Sequence, residues 1–324
     1  MAPDRPNLWR ILSDSSGIIS AHSLHFSALS ILFIFPSSLA SAVYTLLSLP
    51  NNPLQTLYLR LLSIFSAADY QIPAVGASQL LFPLISLFFT TFAAASISAT
   101  TFNAFYGRPV ELIAALKSAL VSFLPLLATT LAVEIVIGVI VFAFLGLIIL
   151  TSNGIASIGF DIDYYYENQY FLAIYMAIGV LLAALLIYLQ IEWSLSNAVV
   201  VVESDWGLAA LKRSSYLVKG ARGIMFSFLL FFSILAGVLG IFYFKYVLIA
   251  YGNGSGDGWN CWLVFKIVVF AGFSTLLSLY SMAALTVFFI YCKASHHELH
   301  FEIHAGNGKL GDDYVPLPYD ANVV

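Results

Sequence analysis

Ser118-Ala-Leu-Val-Ser-Phe-Leu-Pro125-Leu-Leu-Ala-Thr-Thr-Leu-Ala-Val-Glu134-Ile-Val-Ile-Gly-Val-Ile-Val-Phe-Ala-Phe-Leu-Gly-Leu-Ile-Ile-Leu150 is an apolar run interrupted by one ionisable residue. It exceeds the ~20 residues that carry a helix across a ~30 Å hydrocarbon core. Backbone groups in lipid have no water to bond, so they must satisfy one another, and the run reads as a helix. Pro125 removes a helical donor near its start, which predicts a kink or an interfacial first turn.

Five further runs reach spanning length: Leu24–Leu49, Gln79–Ala104, Tyr170–Val200, Ile224–Tyr251 and Trp262–Cys292. Leu54–Phe65 is apolar but short and carries Arg60, so it reads as a helix lying at the interface. The whole chain agrees: of 324 residues 60% are hydrophobic and 9% charged. Soluble domains run at about 45–50% and 25%, so a soluble two-domain protein is excluded. Two cysteines exclude a disulfide scaffold, and a net charge of -4 gives no support to nucleic-acid binding. The fold expected is all-α and integral to the membrane. It is a six-transmembrane-helix bundle over residues 23–292 with amphipathic cytosolic connector helices, a cytosolic segment 1–22 and a cytosolic tail 293–324. Ser38-Leu-Ala-Ser-Ala42 has the small residues of a cleavage site, but the apolar run continues through Tyr44–Leu49. A retained anchor is expected.

Orientation follows from the cations. With six spans, Arg60, Lys245 and Lys266 fall on one side and the other ten of the 13 Lys and Arg on the opposite side, which is therefore cytosolic. The sequon Asn253-Gly-Ser255 then falls in a non-cytosolic loop and is the glycosylation candidate.

Two connectors look alike. Arg108-Pro-Val-Glu-Leu-Ile-Ala-Ala-Leu-Lys-Ser118 and Ser204-Asp-Trp-Gly-Leu-Ala-Ala-Leu-Lys-Arg-Ser214 each join two spans, as a parallel repeat would. In the second, Ser204 or Asp205 can cap a helix N-terminus. Stepping ~100° per residue gathers Trp206, Ala210, Leu211, Leu217 and Val218 on one side, opposite Lys212, Lys219 and Arg222, with Arg213 at the margin. Such a helix is expected in the cytosolic interface, its apolar side among headgroups and its cations over anionic lipid. The plainer reading is that these cations only fix topology.

The run Glu192-Trp-Ser-Leu195, Val199-Val-Val-Val-Glu203, Ala210-Leu-Lys-Arg-Ser214 and Leu217-Val-Lys-Gly-Ala-Arg-Gly223 resembles the signature of a plant family of uncharacterised six-span membrane proteins. More distantly it is similar to the membrane domain of bacterial glycerophosphodiester phosphodiesterases. The resemblance implies a six-span fold over about residues 20–295. It implies no hydrolysis, since the catalytic barrel has no counterpart in these residues.

Glu134 is the candidate for transport or relay, because an ionisable group in mid-span is expensive and by default functional. The structural alternative is a protonated carboxyl bonding a neighbouring helix, with Thr129 and Thr130 among its partners. Gln190 and Glu192 come near a span end where water is within reach, and a structural role is expected of them. Lys245 and Lys266 snorkel from the outer ends of theirs. The loop Asp161–Glu167 reads as solvated and edged by interfacial tyrosines. His296 and His300, four apart, lack a third ligand, so no metal or other cofactor is expected. Cys261 and Cys292 flank one helix and cannot pair. Gly237 and Gly240 would allow close helix packing. Tyr314-Val-Pro-Leu317 resembles a sorting signal read by an adaptor. No enzyme motif is present. The function expected is non-enzymatic, a lipid- or protein-binding component that organises the plasma membrane or endomembranes. Its partners would be the bilayer, anionic lipid and a sorting adaptor. The alternative is a carrier or channel for a small solute, proton or lipid that uses Glu134.

Overall fold

The structure is a computed structural model, and it describes residues 7–47, 77–157, 169–248 and 261–296. The interfacial segment Leu54–Phe65, the acidic loop, Asn253, His300, Tyr314 and Leu317 lie outside the described residues. Every regular element among the described residues is helical: α1 (Leu8–Ala21), α2 (Ser23–Leu29), a π-turn (Ser30–Ile34), α3 (Phe35–Leu47), α4 (Ala77–Phe105), α5 (Leu112–Ser157), α6 (Gln169–Trp193), α7 (Ser196–Glu203), α8 (Leu208–Val218), α9 (Arg222–Tyr243), a second π-turn (Phe244–Leu248) and α10 (Cys261–Ser295). Six helices are long and apolar enough to cross a membrane, the first being the continuous run Ser23–Leu46.

The core forms where α3, α4 and α10 pack pairwise. The middle of α4, Thr91–Thr101, is buried without a break. Its alanines, serines and threonines let the neighbouring backbones come close. Their hydroxyls need partners in so apolar a place, and most turn back on their own helix. Ser96 Oγ donates to the Phe92 carbonyl at 2.8 Å and Thr100 Oγ1 to that of Ser96 at 2.7 Å. Others tie helices together: Thr286 Oγ1 donates to Ser98 Oγ at 3.2 Å, and the hydroxyls of Ser37 and Ser86 lie 3.0 Å apart. Phe92 stacks between Phe33 and Phe123, with centroids 5.5 and 4.6 Å away. Towards the opposite end Tyr243 donates to the Ala42 carbonyl at 2.6 Å and pins α9 to α3. Residues 8–21 are part of the assembly, for α1 lies against α4 and α10 with Ile11, Ser15 and Ile19 buried.

The candidate spans divide by burial. Half of the most apolar stretch of Phe82–Phe105 is buried, but none of that of Leu112–Thr151 and only 11% in Tyr175–Glu203 and Arg222–Val247. Gly237 and Gly240, expected at a close helix contact, have open space where a Cβ would stand, as do Gly138, Gly146 and Gly179. These glycines sit on the weakly buried spans, so the small residues that bring helices together are those of α4. The helix of the third span runs through Pro125 without interruption for 46 residues, about 69 Å at ~1.5 Å per residue. It therefore includes residues 112–118 of the first connector, whereas the matching residues of the second form the separate helix α8. Cys261 is exposed at one end of α10 and Cys292 is buried at the other.

Candidate functional site: an ion-paired connector

Two left-handed turns set α8 apart from its neighbours. Ser204, at φ 62°, ends α7, and Gly220, at φ 100°, separates α8 from α9. Gly207, not Ser204 or Asp205, occupies the N-cap position. The reason is tertiary: the Gly207 N–H donates to Thr129 Oγ1 at 2.8 Å, and that hydroxyl donates to the Pro125 carbonyl at 2.8 Å. The start of α8 is thus anchored to α5 rather than capped by its own chain.

The apolar side of α8 does not sink among headgroups as expected. Ala210, Leu211, Leu217 and Val218 are buried in the protein, and Trp206, assigned to the same side, is 63% exposed. Packing against α6, α7, α10 and α5 removes that face from any solvent, which leaves the opposite face as the outer one. Along it run Leu208, Lys212, Tyr216 and Lys219, all exposed, with Arg222 just beyond.

Two carboxylates, the buried Glu192 and the largely enclosed Glu203, hold the helix in place. Glu203, at the end of α7, accepts a forked pair from Arg213, Nε to Oε2 at 2.8 Å and Nη2 to Oε1 at 3.1 Å. Lys293 Nζ of α10 lies 3.2 Å from Oε1, and its side chain is only 5% exposed. Arg213, 25% exposed, thus spends its fork on Glu203, ten residues back. Glu192 is also enclosed, at 3% exposure. Its carboxylate takes the Ser215 hydroxyl and sits 2.6 Å from Arg222 Nε. Ser214 completes the joint, donating to the Glu192 carbonyl at 2.7 Å and accepting the Leu195 N–H at 3.2 Å.

A parallel tie joins the N-terminal helix to the last one. Tyr291 donates to Asp14 Oδ2 at 2.5 Å, and the Arg10 guanidinium lies 5.9 Å over the Tyr291 ring. Sequence reasoning missed this tie, along with the roles of Glu203 and Lys293. A visible signal for the first was Arg10 and Asp14 one turn apart on one face of α1. His296 packs on α8, stacked on Tyr216 at 5.0 Å with a ring nitrogen 3.3 Å from the Leu217 carbonyl. Among the described residues no group of three or more His, Cys, Asp or Glu could hold a metal ion.

Glu134 is not brought to this cluster. It is exposed on α5 and has no hydrogen bond or ion pair among the described residues. Thr129 serves Gly207, and Thr130 Oγ1 donates to the Leu126 carbonyl at 2.9 Å, so neither is a partner to it. Lys266 Nζ donates to the Tyr246 carbonyl at 3.2 Å, and Lys245 is exposed beside the Tyr246 ring.

The arrangement compensates its two acids with three cations and presents Lys212, Lys219 and the half-exposed Arg222 outward. It is a lock with a basic outer face. Comparison with curated proteins and with solved structures returns no match. A domain of unknown function, DUF8558, matches residues 60–321, and the chain belongs to that family.

Proposed function

We propose that the chain is a multi-pass membrane protein with both termini in the cytosol, acting without catalysis to bind and organise anionic lipid at its cytosolic face. The observation that carries this reading is the outer face of α8. Lys212 and Lys219 are exposed beside Arg222, interleaved with Trp206, Leu208 and Tyr216, which are 63%, 67% and 51% exposed. Aromatic rings at headgroup depth and cations over anionic lipid are the chemistry of an interfacial surface. Docking by Glu192 and Glu203 fixes that surface relative to the spans.

The test is thermal protection of the detergent-solubilised protein by phosphatidylserine against phosphatidylcholine. Each Lys near an anionic surface contributes about 1 kcal/mol, so Lys212→Gln/Lys219→Gln is expected to weaken half-maximal protection by phosphatidylserine roughly ten- to thirtyfold. Arg222 is retained because it also faces Glu192. Equal protection of the unaltered protein by both lipids would sink the reading.

A further inference from the structure

A groove of about 560 Å³ lies between α9 with its following π-turn and α10, at the end of the bundle away from α8. Leu235 to Val247 forms one wall and Phe265 to Leu277 the other, each about 18 Å long at ~1.5 Å per residue. Leu239, Phe242, Val269 and Phe273 are typical of a lining whose one cation is Lys266. Because the two helices run antiparallel, Lys266 meets Tyr246 and stands at one end of the groove while Leu235 and Leu277 close the other. Its ammonium has three donors, and one goes to the Tyr246 carbonyl. The Trp262 ring lies 5.5 Å from Nζ, which adds a second group suited to headgroup depth. Lys245, 5.8 Å from the Tyr246 ring, adds charge at the same end. Neither lysine forms an ion pair with a carboxylate among the described residues.

We propose that this groove holds one acyl chain of a phospholipid whose anionic headgroup rests on Lys266. The shape is long, narrow and apolar with a cation at one end, which is the complement of such a lipid. The second acyl chain stays in the surrounding bilayer. This site is separate from the α8 face and does not depend on the reading given to it.

The experiment uses the full chain in nanodiscs of equal phosphatidylglycerol and phosphatidylcholine, released into native mass spectrometry. The unaltered protein should retain at least one phosphatidylglycerol. Lys266→Gln should lower the ratio of retained phosphatidylglycerol to phosphatidylcholine roughly tenfold, as expected for loss of one charged hydrogen bond. Lys266→Arg should preserve it, which separates charge from folding. Leu239→Phe/Val269→Phe, filling the groove, should reduce retention of both lipids. An unaltered ratio in Lys266→Gln, full retention in the filled groove, or a bound fatty acid or second copy in place of the phospholipid would overturn the proposal.

Discussion

Replacing Glu203 with Gln removes the charge that two cations share and leaves the side chain's shape nearly intact. The consequence depends on where those cations can go. Arg213 is 25% exposed and can turn its fork towards water, but Lys293 is 5% exposed on a helix buried at that level. Removing one member of a buried pair costs about 3–5 kcal/mol because the other is left uncompensated. With Arg213 able to escape, the lower end applies, about 3 kcal/mol. In a chain of this size that lowers the melting temperature by roughly 4–5 °C. Scanning fluorimetry in one detergent, at one scan rate, reads the change as an apparent midpoint. Lys293→Met alone should cost less, since Arg213 still satisfies Glu203, and Glu203→Leu/Lys293→Met should recover most of the loss. If Glu203→Gln melts with the unaltered protein, or the double variant is no better than the single, the carboxylate does not hold α8 in the way described.

Ser214→Ala should lower the same midpoint by an amount matching about 1–3 kcal/mol, because the buried Leu195 N–H loses its acceptor. Tyr291→Phe should speed hydrogen exchange in residues 8–21 well before it changes the global midpoint, since the bond to Asp14 anchors α1. Gly220→Ala meets no atom within 4 Å, so its cost is backbone strain at φ 100° alone, about 1 kcal/mol; fluorimetry should show a small fall. Glu134→Leu should leave melting unchanged or raise it, the carboxyl having no partner among the described residues; a fall of more than about 3 °C would show a contact not accounted for.

The number of long apolar helices was legible because span length is set by bilayer thickness and needs no tertiary knowledge. Which residues are buried was not. In a soluble helix the polar face marks solvent, but α5 and α9 are apolar all round, so their sequence does not say which side meets α4 or α10. The α8 face shows the same difficulty from the other direction. Of its apolar stripe Ala210, Leu211, Leu217 and Val218 are buried while Trp206 is exposed, and a stripe cannot declare whether protein or headgroups cover it. Glu203 and Lys293 stand 90 positions apart, and local spacing carries no information about that pairing. Glu192 shows a related limit: distance along a span measures depth, and says nothing of its enclosure by Ser215 and the half-exposed Arg222. The cap at Gly207 was invisible because its partner, Thr129, lies on another helix.

The two thiols of α10 give the chain a built-in reporter of sidedness. Cys261 is exposed and Cys292 is buried, 31 positions apart on one continuous helix, which places them about 46 Å from each other at ~1.5 Å per residue. A membrane-impermeant maleimide therefore meets one reactive sulfur at one end of the bundle. Labelling sealed vesicles from either side, with no engineered residue, states which face that end occupies and hence which compartment α8 serves.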